Sequence, residues 1–187
     1  MMFIVFCLIL NIGYIYSISG NKGACKSGNY TDFDLDINKY LGKWYSAYVS
    51  ESFSYIQRTD ICAFANYLLN SDETLNIHNE GISQEGKHKS AYATGKIVSP
   101  GKFKIKFSIF QLIPANYEVV YVNNGYDIAA VVGCNGFYEF GSSDVWILVR
   151  DYNYDENKVL QVISKVKELG FDVSDIVKVN TSGCSTY

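Results

Sequence analysis

The chain has 187 residues and a formal net charge of -3 at pH 7. That length fits one domain with its own core, and the weak negative charge leaves no electrostatic footprint for nucleic acid. Aromatic residues reach 16%, with 16 Tyr and 11 Phe against 2 Pro, a balance that favours strands and supplies Tyr rings able to line a cavity with both an apolar face and a hydroxyl.

The opening stretch, MMFIVFCLILNIGYIYSIS, is apolar and ends in small residues. It reads as a secretory signal peptide over 1–19, cleaved near Ser19 and Gly20, with 20–187 as a single mature domain. Tyr14, Tyr16 and the Ser residues hold its apolar run below the roughly 20 residues of a membrane span, and no membrane span is expected elsewhere. Cys7 leaves with the signal. Cys25, Cys62, Cys134 and Cys184 remain, an even set that predicts two disulfides with three connectivities open. No two of them have zinc-finger spacing, so no metal is expected. Asn29 (NYT) and Asn180 (NTS) are glycosylation sequons and fit the same compartment.

The segment NKYLGKWYSAYVS begins the strands. Gly42 weakens a strand interior unless something approaches closely, and Trp44 is too large to leave in water without reason. Together they predict a tight entry with the indole plugging one end of the fold. Short alternating segments follow at 62–69, 74–81, 90–98, 102–110, 117–122, 126–134 and 144–150, separated by turn residues such as Asn123-Asn124-Gly125. Eight regularly spaced strands without intervening helices predict an all-β fold, an eight-stranded antiparallel up-and-down barrel. A two-sheet sandwich is the competing arrangement. Residues 155–169, DENKVLQVISKVKEL, carry Val159, Leu160, Val162, Ile163, Val166 and Leu169 at helical spacing, with Asp155 as cap and Gly170 as stop. This one C-terminal helix is expected to pack outside the barrel.

Alternation nominates the inward positions: Ser46 and Tyr48, then Ala63, Ala65 and Tyr67, then Ile77 and Asn79, then Ala91 and Ala93. Phe103, Ile105, Phe107 and Ile109 follow, with Val131, Gly133 and Trp146 near the end. On the sixth strand either Tyr117, Val119 and Tyr121 face inward, or Glu118 and Val120 do. Several of these residues are small, so they leave volume for a ligand, and the aromatic ones suit a flat, mostly apolar molecule. Ser46, Tyr48 and Asn79 are placed to orient its polar edge. His78 alternates with Ile77 and Asn79 and is expected to face solvent rather than hold haem or metal.

The segment LGKWY, seven further strands, WILVRD and one late helix together resemble the lipocalin family over nearly the whole mature chain. The closest likeness is to arthropod bilin-binding proteins, insecticyanins and apolipoprotein D, through ACKSGNYTDFDLDINKYLGKWY, KFKIKFSIF and DVWILVR. Where the family often has Thr-Asp-Tyr, this chain has Asn123-Asn124-Gly125. The resemblance implies that Gly42, Trp44 and Arg150 form the barrel base, with Arg150 across the Trp44 face. It also implies the pairs Cys25–Cys134 and Cys62–Cys184, which would leave no free pocket thiol, so no enzyme is expected. The function implied is a secreted, extracellular carrier whose cavity holds a small hydrophobic ligand, first of all a bilin of the biliverdin type. A retinoid, fatty acid or odorant carrier is the alternative, as is a salivary or defensive protein acting through its loops. The oligomeric state stays open.

Overall fold

The structure is a computed structural model, and it describes residues 34–51, 61–83, 85–107, 112–135 and 142–184. The carboxylate of Asp36 accepts from the Asn38 N–H at 3.1 Å and starts a single helical turn, α1 (Ile37–Tyr40). Nine strands and one longer helix follow: β1 (Gly42–Ser50), β2 (Ile61–Leu69), β3 (Thr74–Ile82), β4 (His88–Ser99), β5 (Lys102–Lys106), β6 (Ala115–Val122), β7 (Ile128–Asn135), β8 (Ser142–Val149), α2 (Glu156–Glu168) and β9 (Ile176–Lys178). Each of the first seven strands pairs antiparallel with its successor, and β1 also pairs with β8. The ring is therefore closed, a barrel rather than a sandwich. β9 joins from outside, against Tyr48–Ser50 of β1.

The period-2 pattern divides the apolar residues between two cores. On β7, Ala129 and Val131 face the barrel interior, while Ile128, Ala130 and Val132 face out. The outward set is covered by α2, whose Val159, Val162 and Val166 are fully or almost fully buried. That is why β7 is apolar on both faces. The Asp155 carboxylate accepts from the Asn157 N–H at 3.0 Å at the start of α2, and Gly170 takes a left-handed φ of 88° at its end.

Two strands break alternation. The β1–β8 register shifts between Ser46 and Tyr48, and the β6–β7 register shifts between Val119 and Tyr121. A bulge of this kind places one extra residue on its strand and inverts the faces beyond it. The sixth strand thus takes its inward residues from both parities: Tyr117 and Val119 face in, Val120 and Tyr121 face α2, and Val122 returns to the inner side.

One end of the barrel is shut by the Gly42-Lys43-Trp44 segment. Trp44 is wholly buried and its indole N–H donates to the Tyr40 carbonyl at 2.7 Å. Arg150 lies over the ring, its guanidinium carbon 3.8 Å from the centroid. The same guanidinium donates to the carbonyls of Lys39 (2.7 Å), Leu41 (2.9 Å) and Lys43 (2.7 Å), so it satisfies the open C-terminal end of α1. Gly42 is favoured here because its φ is 90°, a left-handed conformation that other residues adopt only under strain. At the other end of β2 from the Tyr67 that pairs with Gly42, Cys62 and Cys184 form a disulfide across 122 residues, tying the C-terminal tail to β2. Cys25, and with it the implied Cys25–Cys134 pair, lies outside the described residues, as do Asn29 and the segment 1–19. Asn180 is exposed.

Candidate ligand-binding cavity

Above the Trp44 base the barrel holds a cavity of about 490 Å³, within the range of small-molecule sites. Its walls are mostly apolar. The floor is made by Tyr67 from β2 and Tyr117 from β6, which stand over Tyr40 of α1. One wall carries the Trp146 indole, which packs closely on Gly133: a β-carbon on that glycine would come within 2.6 Å of Trp146 Cη2 and Cζ3. The Tyr117 and Trp146 rings are 6.2 Å apart, so floor and wall form one aromatic surface. Ala63, Ala65 and Ala91 leave the space opposite. Toward the β3–β4 end the lining turns polar, with Asn79, Glu80, His88, Lys89 and Ser90. Glu80 Oε1 is 3.2 Å from His78 Nδ1.

The floor hydroxyls are linked. Tyr67 and Tyr117 share a hydrogen bond of 2.5 Å, and Tyr40 and Tyr117 one of 3.3 Å. Burial pushes the Tyr67 phenol up to about 12, against the lowering effect of its hydroxyl neighbours. Burial also raises Tyr40 and Tyr117 well above the usual phenol range. All three are neutral at physiological pH and act as both donor and acceptor.

Of the residues nominated by alternation, Ser46, Ala65, Tyr67, Ile77, Asn79, Ala91, Ile105, Phe107 and Trp146 line the cavity, with Ala63 and Gly133. Ala93, Phe103 and Val131 face the interior but are packed into the core instead of the cavity wall. Ile109 lies outside the described residues. Tyr48 must be corrected. The bulge after Ser46 turns it to the outer face, where its hydroxyl donates to Glu156 at the start of α2. Glu156 is in turn bound by Lys178 of β9 at 2.6 Å. Tyr48 therefore fastens helix and outer strand to the barrel and orients no ligand from inside. His78 stands on the outer face, its ring stacked on Tyr92 at 4.2 Å. Alternation missed Phe64, which follows a register shift on β2 where Cys62 takes a φ of 55°, and it missed the polar rim residues at the start of β4. Among the described residues no His, Cys, Asp or Glu group is arranged to hold a metal, and no helix is long and apolar enough to cross a membrane.

A closed eight-stranded barrel with a Trp-plugged base, an outer helix and an internal cavity is the lipocalin arrangement, and the sequence comparisons agree. The family profile described as a lipocalin-like domain matches residues 35–181, and the chain belongs to that family. It is 28% identical to temperature-induced lipocalin-1 of Arabidopsis thaliana over 157 residues, covering 79% of this chain and 80% of the relative. It is 30% identical to the outer membrane lipoprotein Blc of Vibrio cholerae over 152 residues, covering 78% and 82%. Among solved structures, lobster apocrustacyanin A1 superposes with a TM-score of 0.65 at 16% identity over 79% of this chain and 81% of its own. The cockroach allergen Per a 4 superposes with a TM-score of 0.67 at 20% identity over 88% of this chain and 99% of its own.

Proposed function

We propose that this protein is a secreted carrier that holds one small, mostly apolar ligand in the barrel cavity. The observation that carries this reading is the cavity itself: small residues face an aromatic wall, above a base that is already full. A packed interior does not leave such volume without a use. The Cys62–Cys184 disulfide supports an oxidising, extracellular setting, with 1–19 as its signal peptide, and the exposed Asn180 is available for a glycan there. Binding, not catalysis, is the activity this cavity supports.

A bilin pigment is the first ligand to test. Its conjugated rings would stack on Trp146, Tyr117 and Phe107. Its propionates would stay at the wet rim, where Lys89 supplies a cation, because an unpaired carboxylate in the apolar barrel is strongly disfavoured. Biliverdin, retinol and palmitate should be titrated into the protein and into Ala65→Phe and Ala91→Phe, following absorbance and Trp fluorescence. Each added ring fills ligand space, so affinity should fall by about tenfold or more, roughly 1.4 kcal/mol, with the fold kept. Binding of every ligand unchanged in both variants would remove the cavity from the function. Retinol or palmitate binding without biliverdin would keep the carrier and discard the pigment. One surface feature supports a second reading, action through the loops: Leu112 and Ile113, between β5 and β6, are 91% and 63% exposed.

A further inference from the structure

The turn between β6 and β7 stands where the family often has Thr-Asp-Tyr, and it lines no part of the cavity. The Tyr126 N–H donates to the Asn123 carbonyl at 3.0 Å, so Asn124 and Gly125 are the two central residues of a tight turn. Its two asparagines are held differently. The Asn123 side-chain oxygen accepts from the Asp127 N–H at 3.0 Å and the Ile128 N–H at 3.1 Å, and its amide donates to the Asp127 carboxylate. The Asn124 side chain is exposed and bonds to no described residue. Among the described residues nothing accepts from the Gly125 N–H either. A free carboxamide thus sits next to an unengaged backbone nitrogen, and glycine has no β-carbon to hinder their approach.

We propose that Asn124 is a site of spontaneous deamidation and that its isoaspartyl product loosens the base of the barrel. The Gly125 nitrogen attacks the side-chain carbonyl carbon of Asn124. A C–N bond forms there, and the side-chain amide leaves as ammonia, taking up the proton that the Gly125 nitrogen gives up. One water then opens the five-membered imide at either of its two carbonyls. One opening leaves aspartate at position 124. The other leaves isoaspartate, whose main chain runs through the former side chain and is longer by one methylene. The sum is one water consumed, one ammonia released and one negative charge gained, with no oxidant or cofactor needed. The consequence follows from what the turn holds. Tyr126 has a left-handed φ of 54°, which a bulky residue keeps only where the surrounding structure fixes it. Its hydroxyl accepts from the Asp36 N–H at 2.9 Å and its carbonyl from Arg150 Nε at 3.2 Å. These bonds join the turn to the start of α1 and to the guanidinium that lies over Trp44. An added methylene alters the loop that the Tyr126–Asn123 bond closes, and so frees Tyr126 from the position both partners need.

The test incubates the unaltered protein in mildly alkaline buffer at body temperature, with peptide mapping by mass and methyl transfer from an isoaspartyl methyltransferase as readouts. Position 124 should convert to aspartate and isoaspartate ahead of Asn123, and ahead of Asn135, which also precedes a glycine but pairs with Ser142 in the β7–β8 ladder. As isoaspartate accumulates, a population melting about 2–4 °C lower should appear, the shift expected for the loss of about one hydrogen bond in a chain of this size. Asn124→Gln, whose longer side chain does not close the five-membered ring, should stay homogeneous and keep its melting temperature through the same incubation. Freshly made Asn124→Asp adds the charge without the methylene and should melt with the unaltered protein. Persistence of Asn124 in the folded protein, while it converts in a synthetic peptide of the same turn, overturns the site. Conversion to isoaspartate with melting unchanged overturns the effect on the base. Fresh Asn124→Asp melting as low as the aged protein, or an equal loss in aged Asn124→Gln, overturns the isoaspartyl backbone as its cause.

Discussion

The two ends of this barrel spend aromatic side chains in opposite ways. At the base, Tyr40, Trp44 and Phe103 are packed until no volume remains, and Arg150 seals the ring from outside while holding the carbonyls of α1. Toward the rim, Trp146 packs against a residue with no side chain and opposite alanines, so the same residue type keeps a space open. The difference is set by what faces each ring: large partners and a cation at the base, Gly and Ala at the cavity. Stability is therefore expected to concentrate at the base, and affinity at the upper wall.

The sharpest way to break that contrast is Trp44→Ala. It empties the base and leaves the Tyr40 carbonyl only its 3.2 Å bond from Arg150, and should lower stability by about 3–5 kcal/mol in denaturant unfolding. Melting within a degree or two of the unaltered protein would show that the base is not what closes the fold. Removing the tail staple with Cys62→Ser and Cys184→Ser should lower stability by about 2–4 kcal/mol, measured the same way. Alkali tests the buried floor. Tyr67 ionises near 10 in an unfolded chain and is pushed up to about 12 here, so its protonated form is favoured by folding. That contribution, on the order of 2 kcal/mol, is present in full below pH 10 and is lost as pH rises through 12. The melting temperature should fall over that window, with less slope when Tyr67 is Phe. The smallest effect on stability belongs to Gly133→Ala. Its β-carbon displaces the Trp146 indole into open cavity, so stability should change by about 1 kcal/mol or less while ligand affinity drops about tenfold. A loss of stability comparable to Trp44→Ala would mean that the upper wall, too, is packed core.

The same contrast explains what could be read from the sequence. The base was legible because Gly42, Trp44 and Arg150 are individually hard to explain otherwise. The barrel was legible because alternation on a strand such as β5 is regular and no helix interrupts the run of strands. Alternation failed wherever one residue was added. Tyr48 was assigned to the cavity by counting from Ser46, but a bulge is a backbone event without a side-chain signature on this strand, and it turned the ring toward Glu156. The undecided parity of β6 had the same origin: Tyr117 and Val119 face in as the first reading had them, but the shift after Val119 turns Tyr121 out, and Val120, inward in the other reading, faces out as well. α1 and β9 are too short for periodicity to show, and each is held by partners far away in the chain. The linked floor hydroxyls need three elements to converge, which no local pattern announces.

Arg150 is separated by more than a hundred residues from the Lys39 and Lys43 carbonyls it holds, and β1 pairs across a similar span with β8. The strand made first during synthesis thus waits for nearly the last before the ring can shut. Until then β1 and the growing end of the sheet both present unpaired backbone, the condition in which chains associate edge to edge. Folding of this protein should accordingly be slow for its size, limited by long-range closure rather than by formation of its hairpins, and a chain cut before β8 should gather into aggregates instead of persisting as a soluble half-barrel.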